Sequence, residues 1–238
     1  MTNKAWLEGH QFDLEDLAEQ LAAGDVRVVR DETENAYYLT SPEIDNPPEA
    51  GQFDKPAKSL IVRINGLGRA KSADFRPVKL SGKYTDSNGN AHLFVSPAPA
   101  ELRIRGSAAG FVLGPHGQPE PDPPSPWPAR FALAGTNSDV AEALEFMGAT
   151  EPLGWVDLRK VYEIINDSIP RKIYKMGWTT RARLSAFTGS ADRPDVSGRE
   201  ARHARLPGLP PRHTMTLAEG RSYVSDLVTK WLAWLAGN

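Results

Sequence analysis

Residues 114–128 read Gly-Pro-His-Gly-Gln-Pro-Glu-Pro-Asp-Pro-Pro-Ser-Pro-Trp-Pro, a segment with seven prolines in fifteen residues. Each proline lacks a backbone N–H donor, so such a run cannot lie inside a sheet or a helix. We therefore predict a loop or an extended connector, and interpret it as a linker between two domains. A polyproline ligand for an aromatic groove is the alternative; it rests on Pro121-Asp-Pro-Pro124 alone and is not adopted.

The part of the chain ahead of the linker, residues 1–113, is predicted to be a β-rich domain that begins with a short helix. Asp13 is the expected N-cap of this helix and Gly24 its stop. Short runs rich in β-branched and aromatic residues then predict an antiparallel sheet, with Asn88-Gly89 as a hairpin turn. The predicted strands are residues 26–30, 36–40, 59–64, 78–84, 91–95 and 102–105.

The part after the linker, residues 129–238, has apolar residues at helical spacing and is predicted to be an α-helical domain. Its last helix follows Thr216 and Glu219, which form a capping-box sequence, and its apolar stripe includes Trp231 and Trp234. The expected fold class is therefore α+β, with an N-terminal antiparallel β-rich domain before a C-terminal helical domain. The other predicted helices are residues 138–147, 155–169, 180–187 and 197–205.

The amino-acid composition excludes several kinds of functional site. The chain has 238 residues, 40% of them apolar, and no cysteine, which excludes disulfides, thiolate metal sites and cysteine nucleophiles. No window approaches the about 18 apolar residues of a membrane helix and no signal core opens the chain, so we expect a cytoplasmic protein without a membrane partner. The five histidines are scattered, so no metal and no cofactor is predicted. Gly66-Leu-Gly68 lacks the third glycine of a dinucleotide site.

Charge is concentrated in residues 171–221, here called the basic stretch. It carries eleven Lys and Arg residues against four acids, an excess of +7, whereas the whole chain has a formal net charge of −2. The remaining residues therefore sum to −9, so positive and negative net charge are separated along the chain. Within the basic stretch, the helix predicted over residues 197–205 would place Arg199 and His203 four residues apart on one face.

Five segments in a fixed order carry a resemblance to known proteins. They are Trp155-Val-Asp-Leu-Arg-Lys-Val-Tyr-Glu-Ile-Ile165, Gly177-Trp178, Phe187-Thr-Gly-Ser-Ala191, Gly198-Arg-Glu-Ala-Arg-His203 and Pro210-Pro-Arg-His-Thr-Met-Thr-Leu-Ala-Glu219. With these segments the C-terminal region resembles that of a group of uncharacterised bacterial proteins, which is similar in turn to HEPN-type helical domains of toxins, RNases and phage-defence proteins.

The resemblance implies metal-independent RNA cleavage and a homodimer that joins two active faces. Catalytic HEPN domains carry Arg, four to six residues, then His. This sequence departs from that spacing, because Arg199 precedes His203 by three intervening residues. An imidazole beside a cation can still act on a phosphodiester, so His203 and Arg199 are the candidate catalytic pair.

Two further hypotheses use the same residues without catalysis. In the first, an Arg-rich helical surface binds the phosphates of RNA, DNA or a nucleotide, with Trp178 or Phe187 stacking on a base. In the second, the arginines pair with the acidic first half or with an acidic protein partner, and the chain is an interaction module. The candidate phosphate-binding arginines are Arg199, Arg202, Arg205, Arg181 and Arg183.

Overall fold

The computed structural model describes residues 2–47, 52–93, 123–149 and 152–237. Within these ranges the fold is α+β, as predicted: an antiparallel sheet is built from the first 93 residues, and helices follow. The strand predicted at residues 102–105 and residues 114–122 of the predicted linker lie outside the described residues. The linker prediction is wrong at its end, because Trp127 and Pro128 form the first turn of a helix, where proline is tolerated since its N–H would have no partner there.

The strands are β1 (Lys4–Glu8), β2 (Arg27–Asp31), β3 (Ala36–Thr40), β4 (Lys79–Thr85) and β5 (Ala91–Leu93). The helices are α1 (Gln11–Gln20), α2 (Pro42–Asp45), α3 (Asp54–Lys71), α4 (Trp127–Thr136), α5 (Ser138–Met147), α6 (Trp155–Ser168), α7 (Arg181–Asp192), α8 (Pro194–Ser197) and α9 (Leu217–Leu235). Short 3₁₀ turns lie at Ile173–Lys175 and Gly198–Glu200. No helix in the described ranges is long and apolar enough to cross a membrane.

The sheet has the strand order β2-β3-β1-β4-β5, and all neighbouring strands are antiparallel. β2, β3 and β4 confirm three of the predicted strands to within one residue at each end. The central strand β1 was missed, because the first element predicted from the sequence was the helix α1, and no strand was predicted before it. Both end predictions for α1 were also wrong. The helix starts at Gln11, and the His10 ring accepts the Phe12 N–H, while Asp13 lies in the first turn; it ends at Gln20 with Leu21 as C-cap, ahead of the predicted stop Gly24.

The predicted hairpin between β4 and β5 is confirmed. The Asp86 N–H donates to the Asn90 carbonyl across 3.0 Å, and Gly89 turns the chain with a φ of 87°. The Asp86 carboxylate accepts the backbone N–H groups of Asn88 at 2.9 Å and Asn90 at 2.8 Å. Hydrogen bonds from the Asn90 side chain and backbone are the main reason that the pKa of Asp86 falls to about 2.

The strand predicted at residues 59–64 is wrong, because this run lies inside α3. Six residues with several β-branched side chains look like a buried strand, and the helical period emerges only over the full eighteen residues. Apolar side chains then recur three and four residues apart and point into the core. They are Ala57, Leu60, Ile61, Ile64 and Leu67.

α3 contacts α5 so closely that only glycine fits at the crossing. A Cβ on Gly66 would lie 2.2 Å from the carbonyl oxygen of Leu144, and one on Gly148 would lie 1.8 Å from that of Val62. The Gly66 motif is therefore a helix-packing feature. Through this crossing the sheet and the C-terminal helices share one continuous cluster of buried residues. Where a domain boundary falls stays a prediction.

Among the C-terminal helices, α5, α6, α7 and α9 were predicted, whereas α4 was missed. α5 and α6 confirm the predicted helices, and α7 begins at Arg181, after its cap Thr180, but continues beyond the predicted end to Asp192. The capping box of α9 is formed as predicted. On α9, Trp231 is fully buried, whereas Trp234 is 38% exposed.

Candidate functional site

The helix predicted over residues 197–205 is wrong. α8 ends at Ser197, and after the 3₁₀ turn no helix or strand occurs before α9 within this fully described segment. Gly198 has a φ of 61°, outside the helical region, which breaks the helix at its predicted start. Arg199 and His203 therefore do not share a helical face, and both side chains are exposed.

Residues 193–215, here called the anchored loop, are hydrogen-bonded to the end of α7. The N–H of Arg202 donates to the carbonyl of Ala191 across 2.8 Å, and the N–H of His203 donates to the carbonyl of Asp192 across 3.3 Å. A helix leaves its last carbonyls without intrahelical partners, so the loop caps α7. These backbone bonds fix where Arg202 and His203 lie.

A buried arginine holds the middle of the anchored loop. Arg193 is 6% exposed, and its guanidinium donates to both oxygens of Asp195, at 2.9 Å and 3.0 Å. It also donates to the carbonyls of Pro207, at 3.4 Å, and Gly208. The hydrogen bonds from Arg193 lower the pKa of Asp195. Arg193 is thus a structural residue, which the sequence analysis counted only as surface charge.

Two of the four acids of the basic stretch, Asp192 and Asp195, are neutralised by internal ion pairs. Arg159 of α6 holds Asp192 with its Nε atom 3.0 Å from Oδ1, and Asp195 is held by Arg193. Arg202, a candidate phosphate-binding residue, pairs with Glu163. The sequence analysis missed Arg159 and Glu163. Their four-residue spacing on a predicted helix was the available signal.

Most cations of the basic stretch have no such partner. Nine of the eleven make no ion pair with another described residue; Glu200 and Glu219 are the acids of the stretch that also make none. Glu219 belongs to the capping box of α9. Arg221 donates to the carbonyl of Leu153 and is half-buried. The eight exposed cations are Arg171, Lys172, Lys175, Arg181, Arg183, Arg199, Arg205 and Arg212.

Three of these cations line a groove of about 690 Å³ where α6 ends. The walls of the groove are fixed because Ile169 and Ile173 are buried in the core. The groove is lined by Asn166, Asp167, Ile169, Pro170, Arg171, Lys172 and Lys175. Asp167 follows Glu163 by four residues on α6, a rise of about 6 Å, so the groove lies next to the residue that holds Arg202.

The first turn of α7 carries two more of the exposed arginines. The Arg181 guanidinium lies 4.8 Å from the ring centre of Tyr174, and that of Arg183 lies 5.4 Å from the ring centre of Tyr223. Cations are disfavoured at a helix N-terminus by the helix dipole. Both guanidinium groups therefore lie where the helix dipole favours an anion, and their position costs some free energy.

The two aromatic candidates for base stacking differ in accessibility. Phe187 is fully buried among Trp155, Tyr162 and Tyr223, which rules it out as a stacking platform. Trp178 is half-buried and packs edge-on against Trp234, with 6.2 Å between ring centres. Its ring remains the accessible aromatic surface among the two candidates.

The site has no feature of a metal centre: the described residues contain no group of three His, Asp or Glu side chains that could hold an ion. The chain was also compared with protein-family models, curated proteins and solved structures, and nothing matched. The interpretation of the site therefore rests on its own geometry and charge.

Proposed function

We propose that the protein binds nucleic acid through the exposed cations of the basic stretch, which contact backbone phosphates. The observation that carries this proposal is the difference between the acids and the cations of the basic stretch in how many of them are ion-paired. Two of the four acids of the stretch, Asp192 and Asp195, are neutralised internally, while eight cations remain exposed and without an ion pair to the described residues. Their charge is therefore available to an external polyanion.

The chemistry and the layout of these cations favour phosphates. Six of the eight exposed cations are arginines, whose planar guanidinium donates two parallel hydrogen bonds to a phosphate. They are spread over the groove, the start of α7 and the anchored loop. Glu163, which holds Arg202 of the loop, precedes Asp167 of the groove by four residues on α6, and Arg181 of α7 lies over Tyr174, the neighbour of Lys175 in the groove. An extended ligand with regularly repeated charges matches such a spread better than a single anion does.

The acidic first half is not an internal partner of these cations in the described structure. The ion pairs that the basic stretch makes run to Arg159, to Glu163 and between Arg193 and Asp195, and none reaches the first 93 residues within the described ranges. An acidic protein partner stays a prediction. It would compete with nucleic acid for the same arginines.

Binding is tested with the full chain and fluorescent 20-nucleotide RNA and DNA at low salt, read by anisotropy. Replacement of Arg199, Arg205 and Arg212 by alanine is expected to lower the affinity at least about tenfold, because three phosphate contacts are lost. The matched control is Lys55→Ala with Lys79→Ala, two exposed lysines outside the basic stretch. Absence of binding by the wild type at low salt overturns the proposal.

RNA cleavage by His203 and Arg199 stays a prediction of the HEPN resemblance. Its geometric basis was the shared helical face, which is absent. The test is RNA cleavage by the purified protein beside His203→Ala. Equal, background-level activity in both ends the enzyme hypothesis and leaves binding intact.

A further inference from the structure

We propose that Leu209 is an apolar wedge that inserts between bases of the nucleic acid held by Arg205 and Arg212. This inference rests on the proposed function and adds a second mode of contact to it, one that acts on base stacking as well as on phosphates. Three observations carry it: the exposure of Leu209, the way in which its loop is held, and the charges on either side.

Leu209 is 93% exposed, the highest value among the large hydrophobic side chains of the described residues. A single exposed leucine is common on protein surfaces and by itself indicates nothing. Leu93 is comparable at 78%, but it lies on the edge strand β5. What distinguishes Leu209 is the support beneath it.

The backbone on both sides of Leu209 is held in place. Ahead of it, the buried Arg193 guanidinium donates to the carbonyls of Pro207 and Gly208. After it, Pro211 packs against α7 so closely that a Cβ on Gly189 would lie 2.3 Å from the proline ring. The loop thus presents Leu209 to solvent in a fixed position, and little conformational entropy remains to be lost on binding.

Exposed cations flank this apolar tip. Arg205 precedes Leu209 by four residues and Arg212 follows it by three, and neither makes an ion pair with a described residue. Proteins that kink or unstack nucleic acid place an apolar side chain such as leucine between base steps while arginines and lysines hold the strand. Arg205, Leu209 and Arg212 supply both parts within eight residues of the anchored loop.

The test uses the full chain with a 20-base-pair DNA duplex that carries 2-aminopurine at its centre, whose fluorescence rises when the base unstacks. The wild type is expected to raise the fluorescence. Leu209→Ala should abolish the rise and weaken duplex binding about tenfold, the effect of losing one buried leucine side chain. Its salt dependence should stay unchanged, because the phosphate contacts remain. Because Leu209 is almost fully exposed, this variant is expected to fold normally.

Two further variants test whether the effect belongs to position 209 and whether it needs a large apolar side chain. Leu93→Ala removes an exposed leucine away from the basic stretch and should behave as the wild type, while Leu209→Phe should retain the fluorescence rise. Equal duplex affinity of Leu209→Ala and wild type, or binding without any rise in fluorescence, overturns the wedge and leaves phosphate binding standing. Absence of all nucleic-acid binding overturns the proposed function itself.

Discussion

Arg159 and Asp192, thirty-three residues apart in the chain, are joined by a hydrogen-bonded ion pair with 3.0 Å between Nε and Oδ1. Arg159 lies outside the basic stretch and Asp192 within it. The pair therefore removes negative charge from the surface on which the exposed arginines stand. Since both side chains are mostly buried, at 15% and 14% exposure, the pair also ties α6 to the end of α7.

Loss of Arg159 should weaken nucleic-acid binding although the residue is mostly buried. Arg159→Gln leaves the Asp192 carboxylate uncompensated beside the anchored loop, so we expect affinity to fall several-fold and stability to fall by about 1–3 kcal/mol. The double variant Arg159→Gln with Asp192→Asn removes the stray charge and should recover most of the affinity. If the double variant binds as weakly as the single one, the uncompensated charge of Asp192 is not the cause of the weaker binding.

Arg183→Glu should raise the stability of the fold and lower the affinity for RNA. Thr180 caps α7 by accepting the N–H of residue 183 across 3.1 Å, so glutamate there completes a capping box like that of Thr216 and Glu219. Better capping and a favourable dipole should outweigh the lost contact with Tyr223 and raise the free energy of unfolding by about 0.5 kcal/mol. Affinity for RNA should fall. A less stable variant in urea unfolding would contradict this account of α7.

The close crossing of α3 and α5 predicts opposite effects for two glycine substitutions. Gly66→Ala places a methyl group 2.2 Å from the Leu144 carbonyl, so the helices must separate at a cost of about 1–3 kcal/mol or more. Gly135→Ala in α4 meets nothing within 4 Å and should stabilise by about 0.5–1 kcal/mol. Urea unfolding measures both. Equal effects would mean that the crossing is not as close as described.

Acid stability should depend on the β4–β5 hairpin. The pKa of Asp86 is lowered from 3.8 to about 2, so its ionised form stabilises the fold above the ordinary pKa, and this contribution is lost as the pH falls towards the folded value. Asp86→Asn should therefore show a shallower loss of stability between about pH 4 and pH 2 than the wild type. Asp74→Asn, at an exposed acid outside the hairpin, is the control. Parallel curves for Asp86→Asn and wild type would contradict the prediction.

Sequence periodicity sufficed where local preference and tertiary packing agree. The strand predicted at residues 36–40 matches β3 residue for residue, and the capping box located the start of α9. It failed in α3, where a short β-branched run concealed an eighteen-residue helical period. It failed again at residues 197–205, where Gly198 and the bonds to α7 override the helical preference of the local sequence.

The candidate site was predictable in its charge and not in its pairing. The excess of cations is visible in composition, and Arg199, Arg205 and Arg212 are exposed as a binding role requires. Which charges cancel depends on contacts between distant residues, such as that of Arg202 with Glu163, thirty-nine positions earlier. Such contacts follow from the packing of α6 against α7, which no local pattern encodes.

The most direct test of the central claim is the salt dependence of RNA binding. The account predicts that log Kobs for a 20-nucleotide RNA falls linearly with log[salt], and that the combined alanine replacement of Arg199, Arg205 and Arg212 makes the slope shallower by about 2, since each single-strand phosphate contact contributes about 0.7. The lysine control at residues 55 and 79 should keep the wild-type slope. An affinity that does not change with salt, or an identical slope in the triple-arginine variant, would contradict phosphate binding by the basic stretch.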